Sequence, residues 1–356
     1  LKIIFIAPYP WNEAPSQRFR FEQYIPYIKN KDAEVDFYSF WDIDTWKILY
    51  KPGNTLRKIF GFIKGVVERI ILMFFISKYD YVFIHREAAP VGPPVFEWII
   101  AKVFGKKIIY DFDDAIWLPN VSDTNQFVSG LKWHSKVKSI CRYAYKVTVG
   151  NHYLETFAKL YNDNTVYIPT TIDTQYHSGK RLNTVNTKPT IGWTGSISTN
   201  YYLKILEPVF IELRKKFDFE LIIISNVTPD LSVPYTFIKW SIETEIEDLN
   251  KIDIGIMPLP DNLWTQGKCG FKLIQYLSLG KTAVASPVGA NLHILQNNIS
   301  GIFATTNEEW ISALSELLED EGKRNKYGEA GKNYIENNFS VKANNNKYLE
   351  FFNIEN

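Results

Sequence analysis

Between Ile252 and Asn291 the chain reads IDIGIMPLPDNLWTQGKCGFKLIQYLSLGKTAVASPVGAN, and this stretch narrows the choice of fold more than any other. Ile252 to Met257 is a short apolar run that predicts a buried strand, ended by Pro258-Leu259-Pro260. Asp261 to Gly270 predicts a polar loop. Phe271, Ile274, Gln275 and Leu277-Ser278 then follow helical spacing until Gly280 stops it. Thr282 to Ala285 predicts a second buried strand, closed by Ser286-Pro287 and Gly289. Strand, glycine loop, helix and strand make one βαβ unit. Its loop falls at the carboxyl edge of a parallel sheet, where open α/β sheets hold ligands.

The loop chemistry points to an anion. Gly267 and Gly270 let the backbone approach a ligand closely, and the first-turn amides are donors at the positive end of the helix dipole. Lys268 lies in the loop and Lys272 early in the helix, so two cations flank those donors, while Gln275 is placed to reach a ribose hydroxyl. Spacing alone also accommodates an ordinary helix start with two solvated lysines.

The segment GKCGFKLIQYLSLGKTAVASPVG resembles the donor-sugar motif of GT-B glycosyltransferases of the family 4 (group 1) type. That resemblance implies a loop and helix, here Gly267, Lys268, Cys269, Gly270, Phe271 and Lys272, that grip the diphosphate of a nucleotide sugar. The family usually carries two Glu residues separated by seven others; Gly267 and Gln275 occupy those places here, so the ribose contact keeps its hydrogen bonds but not its charge. Lys268 and Lys272 resemble a lysine-bearing variant of the motif and are expected to stabilise the departing diphosphate.

A chain of 356 residues has room for two domains, and 46% hydrophobic against 22% charged residues fits well-packed cores. The net charge of +1 gives no basic field to attract nucleic acid. Cys141 and Cys269 offer no metal-ligand spacing and suit a reducing cytoplasm. Leu1-Lys2-Ile3 opens directly into a strand, which leaves no room for a signal peptide, and no uncharged apolar run is long enough to span a bilayer.

Lys2 to Ala7 predicts the first strand, and Ser16 is a candidate N-cap for a helix through about Lys29. Arg18 and Arg20 in its first turns are candidates for an acceptor phosphate or ordinary surface arginines. Tyr81 to Ile84 predicts a strand ending in His85-Arg86-Glu87, also taken as acceptor-binding, and Lys107 to Tyr110 a strand that delivers Asp111-Phe112-Asp113-Asp114. Three carboxylates at a strand end are expected to raise at least one pKa unless a cation sits near. The cluster resembles the acceptor-side motif of the same transferase branch, with Asp113 and Asp114 as catalytic candidates; the alternative is a carboxylate capping a turn. Asp111-Phe112-Asp113 fits a DxD pattern but lies in the wrong half for a metal-bound donor, so metal independence is expected, with no cofactor beyond the donor.

From Trp46 to Lys78 the sequence is basic: Lys47, Lys51, Arg57, Lys58, Lys64, Arg69 and Lys78 stand against Glu68 alone, around a broad apolar helical face. Such a helix lies on an anionic membrane, packs on the sheet with snorkelling lysines, or does each at one end, the core placement being the expected one. Lys132, Lys136, Lys138, Arg142 and Lys146 form a second cationic run, so 47–78 and 132–146 are the candidate membrane contacts.

The second half opens with Thr190 to Ser196, a strand into a glycine loop, whose Gly195 and Ser196 resemble the donor side near the phosphates. Trp240-Ser241 at a later strand end is where the resemblance places the base, and Glu243, Glu245 and Glu247 read as a solvated helix face. The resemblance implies a GT-B fold, two doubly wound Rossmann-like domains facing across a cleft: residues 1–174, a linker at 175–188, and 189–339, with a terminal helix at about 340–356 returning to the first domain. It implies retaining transfer from a nucleotide-diphosphate sugar, a UDP-sugar favoured, to a lipid-linked or saccharide acceptor in surface polysaccharide synthesis, by a cytoplasmic protein at the inner face of the plasma membrane. A UDP-sugar 2-epimerase of the same fold and a non-catalytic scaffold are the alternatives.

Overall fold

Apolar runs at Lys2–Ala7 (β1), Tyr81–His85 (β3) and Lys107–Phe112 (β4) occupy the middle of a parallel sheet, buried along nearly their whole length. With Glu34–Ser39 (β2), Lys146–Val149 (β5) and Thr165–Tyr167 (β6) they give the order β2-β1-β3-β4-β5-β6. A second parallel sheet joins Thr190–Gly195 (β7), Glu220–Ser225 (β8), Thr236–Lys239 (β9), Ile254–Met257 (β10), Thr282–Ala285 (β11) and Gly301–Phe303 (β12) in the order β12-β11-β10-β7-β8-β9. Parallel strands covered on both faces read as unbroken hydrophobic runs, which is why the sequence placed them well.

The computed structural model describes residues 1–119, 133–177, 188–196 and 199–355. Most of the expected linker, and Lys132 of the second cationic run, lie outside the described residues. The chain divides into two compact units, Leu1–Thr170 with Asn344–Asn356, and Thr171–Ala343. The returning segment belongs to the first unit through aromatic packing: Tyr348 stacks on Tyr24 with ring centroids 4.1 Å apart, and Phe352 meets Tyr81 edge-on at 5.7 Å.

Strand order decides where each unit can bind. In the first sheet the order of strand addition reverses between β1 and β3, and in the second between β7 and β10. Connections leave on opposite faces at such a point, and the carboxyl ends of the two strands border an open crevice. At β1 and β3 those ends are the Pro8 loop and His85-Arg86-Glu87; at β7 and β10 they are Gly195-Ser196 and the loop leading to Gly270.

Three sequence expectations change. Ser16 is not an N-cap: Ala14 takes that position without a side-chain bond, Pro15 starts a four-residue turn, and separate short turns follow at Glu22–Tyr24 and Ile25–Lys29. Pro26 carries no N–H for a continuous ladder, so one helix from Ser16 to Lys29 cannot form. Within the expected loop Asp261–Gly270, Leu263–Gln266 forms a helical turn, because Asn262 and Thr265 cap it reciprocally. The helix Thr55–Phe75 does not bury its apolar face; its buried residues are Gly61, Gly65, Arg69, Leu72 and Met73. Arg69 therefore belongs to the interior and not to the cationic surface.

Candidate functional site

In the second unit the helix Phe271–Ser278 starts on Gly270, whose φ of 66° is left-handed and whose hypothetical Cβ would lie 2.2 Å from Ile294 Cδ1. The backbone conformation demands glycine, and the tip of the Ile294 side chain takes the space beside it. Gly270 caps the helix with no side chain, so nothing on the capping residue accepts from the first-turn amides. Gly289, also left-handed, lets the loop after β11 pass against the Gln266 carbonyl, with 2.7 Å left for a Cβ.

Tyr276, one turn into this helix and fully buried, lies against Gly255 of β10. Its hydroxyl accepts the amide of Thr194 on β7 at 2.9 Å. Lys272, one turn nearer the helix start, has its ammonium 5.4 Å from the centre of the Trp193 ring, and the same ring fills the space beside Gly195. The structure thus brings Lys272, Gly195 and Gly270 to the same end of β7 and β10. Lys268 sits over Trp264, 4.9 Å from the ring centre. A cation over an indole face is attracted by about 0.5–1 kcal/mol when exposed, weak enough to be exchanged for an anionic ligand. Lys204, by contrast, pairs with Asp230 at 2.7 Å. Cys269 is buried, and Ser196 lies at the exposed end of β7 with its amide donating to Thr199 Oγ1 at 3.2 Å.

Gln275 is buried and donates to Glu245 Oε1 at 3.3 Å, and Trp240 Nε1 donates to the same oxygen at 3.3 Å. Glu245 is therefore not on a solvated face; only Glu243 and Glu247 of that trio are exposed. Sequence reasoning missed this carboxylate because its partner is thirty residues away. It stands beside the glutamine that replaces the acidic residue of the resembled motif. Ser241 Oγ turns to Glu243.

In the first unit, Asp111 is inside β4, not at its end, and is 1% exposed. Arg20 Nη2 pairs with Asp111 Oδ1 at 2.5 Å, His85 Nδ1 meets Oδ2 at 2.7 Å, and Thr148 also donates to the carboxylate. Burial alone would raise this carboxyl; the Arg20 guanidinium and the His85 hydrogen bond reverse that and hold it well below the usual range. The expected raised pKa is not found at Asp111, because a cation is in contact. Arg20 and His85, both expected at the acceptor, are instead interior, their side chains closed from solvent.

Arg86, with a left-handed φ of 59°, turns out of β3 and bridges two carboxylates: Nε to Asp113 Oδ1 at 2.8 Å and Nη2 to Asp114 Oδ2 at 2.8 Å. Burial would lower its pKa, but the two aspartates keep it raised, so the charge is fixed. Glu87 pairs with Lys136 at 2.8 Å, and Arg18 is mostly buried against the Phe19 ring at 4.8 Å. Among the described residues no group of three or more His, Cys, Asp or Glu is placed to hold a metal ion.

No protein-family model matches the chain, and no curated protein matches it in sequence. Solved structures do. A sucrose-phosphate synthase from Thermosynechococcus elongatus aligns with a TM-score of 0.70 at 13% identity, over 99% of this chain and 98% of that one. HepE from Anabaena, solved with UDP and glucose, gives 0.70 at 14% over 99% of both chains. A glycosyltransferase from Rickettsia africae gives 0.69 at 15% over 99% of both. The two parallel six-stranded sheets with their helices define the fold as GT-B.

Proposed function

We propose that this protein is a glycosyltransferase that moves a sugar from a nucleotide-diphosphate sugar, with a UDP-sugar as donor, to an acceptor hydroxyl on a lipid-linked or saccharide chain. The observation that carries the reading is the meeting of two glycine loops at the switch point of the second sheet. The Tyr276–Thr194 hydrogen bond fixes that meeting, and Lys272 is held over Trp193 beside it. Glycine backbone, first-turn amides and two lysines suit a diphosphate and leave its charge compensated without a metal ion. The structural neighbour HepE, solved with UDP and with UDP-glucose, supports the choice of donor.

Trp240, Glu245 and Gln275 are assigned to the nucleoside end, where the carboxylate of Glu245 stands in for the acidic residue that Gln275 lacks. Arg86, clamped by Asp113 and Asp114, is assigned to the acceptor. Transfer proceeds with retention: the departing diphosphate takes the proton of the incoming hydroxyl, so no covalent nucleophile is needed. Catalysis then rests on stabilising charge on the leaving group, and loss of one such donor costs about 10²–10³ in rate.

A thermal-shift panel of UDP, GDP, ADP and their sugars tests the assignment. UDP and a UDP-sugar should raise the melting temperature of the wild type, and Lys268→Ala should remove the shift. An equal shift with all three nucleotides, or one that survives Lys268→Ala, contradicts it.

A further inference from the structure

The helix Thr55–Phe75 packs inward through Gly61 and Gly65, then Arg69, Leu72 and Met73, and leaves most of its other large apolar residues outward. A Cβ on Gly61 would lie 2.2 Å from the Thr45 side chain, and one on Gly65 2.6 Å from the Phe40 carbonyl, so the helix backbone rests directly on the domain. One turn further, Arg69 fills the interior and donates to the carbonyls of Ala7, Tyr38, Ser39 and Ala88. On the opposite side Leu56, Phe60, Ile63, Val67, Ile70 and Phe74 are exposed, Phe60 to 70% and Phe74 to 78%. Turning the helix over would drive these side chains into space that fits only glycine, so the outward apolar face is fixed by the packing.

Contiguous apolar surface of this extent is rare on a protein that keeps it in water. Exposed cations precede and open the helix: Lys47, Lys51 and Arg57. Lys64 is engaged with Asp42 at 2.8 Å, and Lys58 donates to the Lys51 carbonyl at 2.5 Å, so these two are the weaker contributors. A second copy of the chain would set like charges against one another across a symmetric contact. An anionic bilayer meets both features at once, with acyl chains for the ridge and phosphates for the cations. Among the described residues no helix is long and apolar enough to cross a membrane.

We propose that the outer face of Thr55–Phe75 inserts into the interfacial layer of a membrane containing anionic phospholipid. Phe60, Ile63, Ile70 and Phe74 enter the acyl region, and Lys47, Lys51 and Arg57 sit at the phosphates. The assignment does not depend on sugar transfer.

Flotation of the full chain with phosphatidylcholine vesicles, with and without phosphatidylglycerol and with no nucleotide present, tests it. The wild type should float with the anionic vesicles and far less with the neutral ones. Ile63→Glu with Ile70→Glu should lower the partition coefficient at least about tenfold, since two apolar side chains leave the lipid. Both positions are exposed, so the thermal melt should not move. Lys51→Glu with Arg57→Glu should remove the preference for anionic over neutral vesicles. Absence of flotation overturns the proposal, as does equal flotation of the Ile63/Ile70 variant. A wild-type dimer that the same variant dissolves, with no vesicle binding by either, also overturns it in favour of a second copy as the occupant.

Discussion

The hydroxyl of Tyr276 accepts the backbone amide of Thr194 at 2.9 Å, and so the helix that follows one glycine loop holds the strand that leads into the other. Tyr276→Phe keeps the ring against Gly255 but leaves a buried amide without its acceptor. Such a loss costs about 1–3 kcal/mol. Urea denaturation should show that loss, and UDP affinity should fall with it as Gly195 and Lys272 lose their register. A variant as stable as the wild type would mean that the hydrogen bond does not hold the strand.

Glu245 and Gln275 give the second prediction. Both Trp240 and Gln275 donate to one carboxylate oxygen, so Glu245→Gln weakens an acceptor shared by two donors, one of them buried. On the proposed assignment this variant should raise the dissociation constant for UDP while leaving that for inorganic diphosphate unchanged, because only the nucleoside end is touched. Equal weakening of both ligands would move Glu245 away from the nucleoside.

The Arg20–Asp111 pair is closed from solvent, and breaking it should be costly in a defined way. Arg20→Met strands a buried carboxylate and should destabilise the protein by about 3–5 kcal/mol. Arg20→Met combined with Asp111→Asn should cost less than the sum of the two single changes, measured by denaturant unfolding. Additive losses would show that the two charges are not coupled.

Glu22 carries a pH dependence. Its carboxylate accepts the amide of Asn12 at 2.9 Å and the Gln17 side chain at 3.1 Å, fastening the loop after β1. Burial nevertheless pushes its pKa up from 4.5 to about 7, against those hydrogen bonds. The folded protein therefore keeps a proton that the unfolded chain has released. The stability this contributes is fully present below 4.5 and is lost as pH rises through about 7. Melting curves of wild type minus Glu22→Gln should fall across that window and be flat on either side. A difference that does not change with pH would place the Glu22 carboxyl at its ordinary value.

Much of this was legible in the sequence, for identifiable reasons. The central strands are unbroken apolar runs, and Gly267 to Gly270 before a periodic segment marks a loop-to-helix junction whatever the fold. Contacts between distant residues were not legible: Asp111 meets Arg20 ninety-one positions away, and a strand-end carboxylate looks the same on paper whether it faces water or a guanidinium. Glu245 was hidden in the same way among acidic neighbours. The helix Thr55–Phe75 failed differently. Periodicity reveals an apolar face but not which way it points, and the signal that decides the question, Gly61 and Gly65 one turn apart, belongs to the other face.

Isothermal titration of UDP into the wild type and into Lys272→Ala tests the central claim most directly, that the joined glycine loops and their lysines hold a nucleotide diphosphate. The account predicts that UDP binds the wild type, and that the variant, still folded by circular dichroism, loses at least about tenfold in affinity, the share of one charge-assisted contact of about 1.5–3 kcal/mol. UDP binding of equal strength in both proteins would contradict it.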